Sequence, residues 1–169
     1  MKFDHLPKEM KKNLQRYTAE VVLQSKRHKF DDIQVQALII NLANNIQAIN
    51  GIGDINSACL SITEGNMRAE TVSDLYKRIG IDSLWPEVSK QSKMKMLFEN
   101  DKDSEIERKA KLLLDEFMQV RNSIAHPSDI PTFPDSIKMI SYLEFIKVLA
   151  EVMIDVCRVQ LIVIKPNIS

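Results

Sequence analysis

An all-α fold is predicted by three features of the sequence. Leu, Ile, Met, Ala, Lys and Glu are plentiful while only 4 of the 169 residues are glycine, a bias towards helix. Apolar residues recur at helical spacing along most of the chain, and no stretch alternates with strand period strongly enough to rival them. Prolines and glycines stand at the ends of the periodic stretches rather than in their middles.

Pro7 suits the first turn of a helix running to about Lys29, with Met10, Leu14, Tyr17, Val21 and Val22 on one apolar face. Asp31-Asp32 restarts the chain as an N-cap pair, and a second helix carries Ile33, Ala37, Ile40, Asn44 and Ile46 towards Asn50. Gly51-Ile52-Gly53-Asp54 reads as a turn, and the stretch up to Asn66 is the least regular of the chain. A short helix from about Met67 to Ile79 is closed by Gly80. Asp82-Ser83 caps another short element with Trp85-Pro86 in its first turn and Met94, Leu97 and Phe98 after them. The longest clean pattern is Ile106, Ala110, Leu113, Leu114, Phe117, Val120 and Ile124, which predicts a helix from about Asp103 to Ala125. Pro127, Pro131 and Pro134 precede a last helix from about Asp135 to Leu161, with Ile137, Ile140, Leu143, Phe145, Val148, Val152 and Val156 on its apolar side. Long helices towards both ends are expected to pack as a bundle.

The length suits a single domain, 1–169, with a real core. Hydrophobic residues make up 44% of the chain, and the formal net charge is zero. The chain as a whole is therefore no electrostatic magnet for nucleic acid, and any RNA contact must come from local patches. Two cysteines, Cys59 and Cys157, are too few and too far apart for a disulfide scaffold or a zinc site. Met1-Lys2-Phe3-Asp4-His5 lacks the apolar run of a signal peptide, and Leu161-Ile162-Val163-Ile164 is too short to span a bilayer. A cytoplasmic location with no membrane contact is the expectation.

One stretch carries chemistry: Arg121-Asn122-Ser123-Ile124-Ala125-His126-Pro127. It sets a permanent planar cation and a group that exchanges protons near neutrality at the end of a long helix, a combination suited to a phosphate. On an ideal helix Arg121 and His126 lie roughly 140° apart in azimuth and about 7.5 Å apart along the axis, whereas Asn122 and His126 share a face. Two copies packed about a two-fold axis could surround one phosphodiester with two arginines and two histidines. His126 would take the proton from a ribose 2′-hydroxyl, Arg121 would hold the non-bridging oxygens, and Asn122 would orient the histidine or the phosphate. The same residues also suit plainer roles: Arg121 a surface ion pair with Glu116 or Asp115, and His126 a C-terminal cap.

The arginine, the asparagine after it, Ile124-Ala125 before the histidine and the proline behind it resemble the R-x4-H signature of the HEPN family. Asn66-Met67-Arg68 and Leu75-Tyr76-Lys77-Arg78-Ile79-Gly80-Ile81-Asp82 resemble the mid-region of its RiboL-PSP-type subgroup. The resemblance covers about residues 30 to 160 and leaves the helix within 1–29 as a family-variable extension. It implies a bundle of about four to six helices with two long core helices. It also implies a homodimer with a shared site, and metal-independent RNA cleavage that leaves 2′,3′-cyclic phosphate and 5′-hydroxyl ends. A toxin or phage-defence role follows from it, with an antitoxin or other regulatory protein as partner. The rival reading is a non-catalytic HEPN-like module binding RNA or a protein. A tyrosine modified in one HEPN toxin subgroup is replaced here by Ser128, so that style of control is not expected.

Other features point to no site. Lys8, Lys11, Lys12, Arg16, Lys26, Arg27, His28 and Lys29 form a basic group, and Lys90, Lys93 and Lys95 a second; both read as solvated helix faces in preference to an RNA track. No aromatic residue is read as interleaving with these lysines to stack bases. His5 and His28 are isolated, and no His or Cys pair has metal-ligand spacing. Asp101, Asp103, Glu105 and Glu107 lack the glycine and final glutamate of a calcium loop. Gly51-x-Gly53 lacks the rest of a nucleotide-binding fingerprint. No cofactor and no metal is expected.

Overall fold

The structure, a computed structural model, describes residues 6, 8–47, 55–60, 62, 67–126 and 133–164, and of 9 and 161–164 the backbone alone. Through these run eight helices: α1 (Lys8–Leu23), α2 (Asp32–Gln47), α3 (Ser57–Leu60), α4 (Ala69–Arg78), α5 (Leu84–Ser89), α6 (Ser92–Phe98), α7 (Asp103–Ala125) and α8 (Ser136–Ile164). The fold is all-α, and among the described residues there is no strand. The count exceeds the expected four to six because α3 is a single turn and the element around Trp85 divides into α5 and α6. Pro7, the Gly51–Asp54 turn, Asn66, Pro127, Ser128 and Pro131 lie outside the described residues. Among those described, no helix is long and apolar enough to cross a membrane.

The chain forms two compact units, divided within α4. The first comprises 1–64, 74–81 and 162–169, and the second 65–73 and 82–161. In the first, α1 packs on α2 and α3. Val21, Leu38 and Cys59 form one buried cluster and Leu6 and Leu14 another, in keeping with the face expected of the N-terminal helix. The start of α2 is a reciprocal cap: Gln34 N donates to Asp31 Oδ1 at 2.8 Å, and Asp31 N to Gln34 Oε1 at 3.0 Å, satisfying two orphan donors at once.

The expected face of α2 is not the one it buries. Ile33, Ile40 and Ile46 are 78%, 61% and 63% exposed, and the buried positions are Leu38 and Asn45. This helix is apolar nearly all round, so spacing alone does not single out the seam.

Gly80 closes α4 as the sequence predicts. Its φ is +84°, Ile81 N donates to Tyr76 O at 3.0 Å and Gly80 N to Lys77 O at 3.0 Å, the two bonds of a Schellman ending. The loops after α1 and α6 close the same way with Lys29 and Glu99 in the left-handed position. Those two sites place a side chain where glycine is favoured.

The second unit is built around α7. Ile106 and Ala110 are fully buried, and Leu84, Trp85, Val88 and Met94 from α5 and α6 join them in the core. The Trp85 indole N–H donates to Ala69 O at 3.1 Å and to Ser73 Oγ at 2.8 Å, so a large apolar side chain is buried with its one polar atom satisfied. Ser83, expected as a cap of α5, makes no capping bond through its side chain. The expected bounds of α7, Asp103 to Ala125, are those observed.

In α8, Tyr142, Phe145, Leu149, Val152 and Val156 are buried, but Ile137, Ile140 and Leu143 are 80%, 64% and 61% exposed. The sequence reading merged two separate apolar faces into one. Asp135 caps this helix, accepting from Lys138 N at 2.7 Å.

Candidate active site

The C-terminal end of α7 and its C-cap carry the three residues of the motif. Arg121 is exposed, Asn122 half-buried and His126 exposed. His126 is the C-cap, with φ −135° and ψ 67°, and its backbone N–H still donates to Asn122 O at 2.9 Å. The backbone has thus left helical geometry at the histidine, so the azimuth calculated for an ideal helix does not carry over to the imidazole.

Asn122 serves both neighbours. Its side-chain Oδ1 accepts from Arg121 Nη1 at 3.1 Å, while its main-chain carbonyl holds the His126 amide. The sequence predicts that Asn122 orients the histidine or the phosphate; its side chain here bonds Arg121. Residues adjacent in a helix do not face one another, so no spacing rule foresees this bond.

The two carboxylates that could have neutralised Arg121 are engaged elsewhere. Asp115 Oδ1 accepts from Ala69 N at 2.8 Å, at the start of α4. Glu116 Oε1 lies 3.0 Å from Lys138 Nζ. That lysine, then the Tyr142 hydroxyl, holds the Glu116 carboxyl below its usual value. Burial first, and then the Glu116 carboxylate, pushes the Tyr142 hydroxyl up. Among the described residues, the plain ion-pair role is therefore not the one Arg121 fills. The cap role for His126 and a chemical role are compatible, since capping uses its main chain only.

Cover thins along α7 towards the motif. Ile106 and Ala110 are 0% exposed and Leu114 5%, whereas Phe117, Val120 and Ile124 are only half-buried. Phe117 meets Tyr142 of α8 edge-on, with centroids 5.5 Å apart. The same helix leads with Phe133 ahead of it and Ile137 and Ile140 in its first turns, all three at least 64% exposed. The Glu116, Lys138 and Tyr142 cluster has no motif of its own, and the sequence reading did not anticipate it.

An all-helical chain with an arginine and a histidine five residues apart at a helix end fits the pattern of a HEPN-type domain. A family profile described as RiboL-PSP-HEPN matches residues 2–158, and the chain belongs to that family. The match takes in α1 as well as the motif. No curated protein and no solved structure matches the chain significantly.

Proposed function

We propose that the chain is a metal-independent endoribonuclease of HEPN type, acting as a homodimer with Arg121, Asn122 and His126 in a composite site. One observation carries this reading: an exposed guanidinium, held by Asn122 and passed over by both neighbouring carboxylates, stands at the same helix end as an exposed imidazole. A cation left unneutralised is what a phosphodiester needs.

In the reaction, His126 takes the proton of a ribose 2′-hydroxyl as that oxygen attacks the adjacent phosphorus. Arg121 stabilises the charge gathering on the non-bridging oxygens. The bond from phosphorus to the 5′-oxygen breaks, and that oxygen receives a proton from water or from the second copy's imidazolium. The products are a 2′,3′-cyclic phosphate and a 5′-hydroxyl. The half-buried Val120 and Ile124 and the exposed Phe133, Ile137 and Ile140 supply apolar surface for a second copy, which would bring the paired groups to one strand. Such an activity suits a toxin or phage-defence effector restrained by an antitoxin or other regulatory protein.

The test is incubation with structured and single-stranded RNA in chelator, with product ends mapped. Cyclic-phosphate ends are expected, with rates about 10²–10⁴-fold lower for His126→Ala. A folded dimer that cuts no RNA, whole-cell transfer RNA included, would sink the enzyme and leave a HEPN module that binds RNA or protein.

A further inference from the structure

The first unit contains a pocket of about 200 Å³ at the closed end of α1, with Tyr17, Glu20, Gln24, Arg27, His28 and Arg78 in its lining. Arg78 is held in place: Nη1 donates to Leu60 O at 3.1 Å and to Ile62 O at 2.6 Å, and the guanidinium stacks 5.2 Å from the Tyr17 ring centroid. Main-chain carbonyls fix a cation without cancelling its charge. Arg16 lies over the same ring, at 4.8 Å. Tyr17 thus carries two guanidinium groups on its ring.

Arg27 and His28 are set by the turn that ends at Lys29, where Phe30 N donates to Ser25 O at 3.1 Å. The last carbonyls of α1 would repel an anion, but amides of residues 24, 25 and 28 already cap those of Glu20, Val21, Val22 and Gln24. Glu20, a carboxylate in the lining, faces Arg16 at 3.8 Å. Residues 8–29 hold seven Lys and Arg against two Glu in a chain of zero net charge.

We infer that this pocket takes a phosphate group of a nucleotide, held by Arg27 and Arg78 with the side-chain amide of Gln24 as a further donor. Its volume lies below the roughly 300–1,000 Å³ of sites for whole drug-sized ligands, which suits one phosphate with part of its sugar. The phosphate can belong to a free mononucleotide or to an RNA strand. The inference goes beyond the nuclease reading and uses no residue of α7.

Full-length protein carrying His126→Ala is titrated with inorganic phosphate, adenosine monophosphate, and 5′-phosphorylated and 5′-hydroxyl forms of one short RNA. Saturable binding is expected, weakened about tenfold or more by Arg27→Ala and by Arg78→Lys, and changed less than about twofold by Lys12→Ala on the exposed face of α1. Displacement of RNA by the mononucleotide identifies a terminal phosphate; equal binding of both RNA forms identifies a backbone phosphate, and both results support the site. Arg27 is exposed, so its variant should keep the wild-type circular dichroism even if Arg78→Lys unfolds. No saturable binding, affinity indifferent to Arg27→Ala, or tighter binding of a polyglutamate peptide than of any phosphate ligand would overturn it. The isotherms of wild-type and His126→Ala protein with the mononucleotide should coincide whether or not the chain proves to cut RNA.

Discussion

The two ends of α7 share one apolar period and differ in what surrounds them. At its start, Ile106 and Ala110 are sealed in the core, Lys95 pairs with Asp103 at 3.0 Å, and Asn100 donates to Glu105 at 2.8 Å. At its end, half-buried Val120 and Ile124 alternate with exposed Arg121, Ser123 and His126. Helix propensity does not separate the two halves; cover does. One helix thus anchors the unit at one end and leaves Arg121 and His126 exposed at the other, the exposure that the proposed function requires.

The sharpest way to break this contrast is by truncation. Ile106→Ala should cost about 2–5 kcal/mol in denaturant unfolding, as for other sealed aliphatic side chains. Ile124→Ala should cost under about 1 kcal/mol in dilute protein. Equal losses at the two positions would mean that cover is not what distinguishes them. Next in size, Ile140→Asp on the uncovered face of α8 should weaken self-association at least about tenfold by sedimentation, because a carboxylate would enter an apolar contact. A dimer indifferent to that change would place the second copy elsewhere.

Asn122→Ala removes the side-chain bond to Arg121 but keeps the main-chain carbonyl that holds His126. RNA cleavage should fall about 3- to 10-fold, the worth of one net hydrogen bond, far less than for His126→Ala. The smallest effect concerns pH. Glu116 has its carboxyl held below its ordinary value of 4.5. Its contribution to stability is therefore full above that value and is lost as pH falls through the lower folded one. Lys138→Met should flatten the acid limb of the plot of Tm against pH, and only slightly, since both side chains are more than 40% exposed.

The sequence was most legible where caps and period agree. The bounds of α7 follow from Asp103 in its first turn and a single apolar stripe, and Gly80 marks the Schellman ending of α4 through a positive φ that favours glycine. Legibility failed where apolar residues exceed one face. Ile33 and Ile40 of α2, and Ile137 and Ile140 of α8, fit a helical period as well as the buried residues do, and only packing chooses between them. At the candidate site the helix end at Ala125 was legible, whereas the side-chain bond from Arg121 to Asn122 was not, because residues adjacent in a helix are not expected to face one another. The pocket beside Tyr17 escaped notice because Arg27 and Arg78 meet there from positions far apart in the chain.

The double engagement of Asn122 couples its two neighbours. Its two carbonyls hold the guanidinium on one side and the amide of the imidazole-bearing residue on the other, at 3.1 and 2.9 Å. Fraying of the terminal turn as far as this residue would loosen both anchors. Under the proposed function, the fraction of chains with both groups in place would follow one opening equilibrium shared by the pair, and anything that clamps that turn would raise the occupancy of both at once.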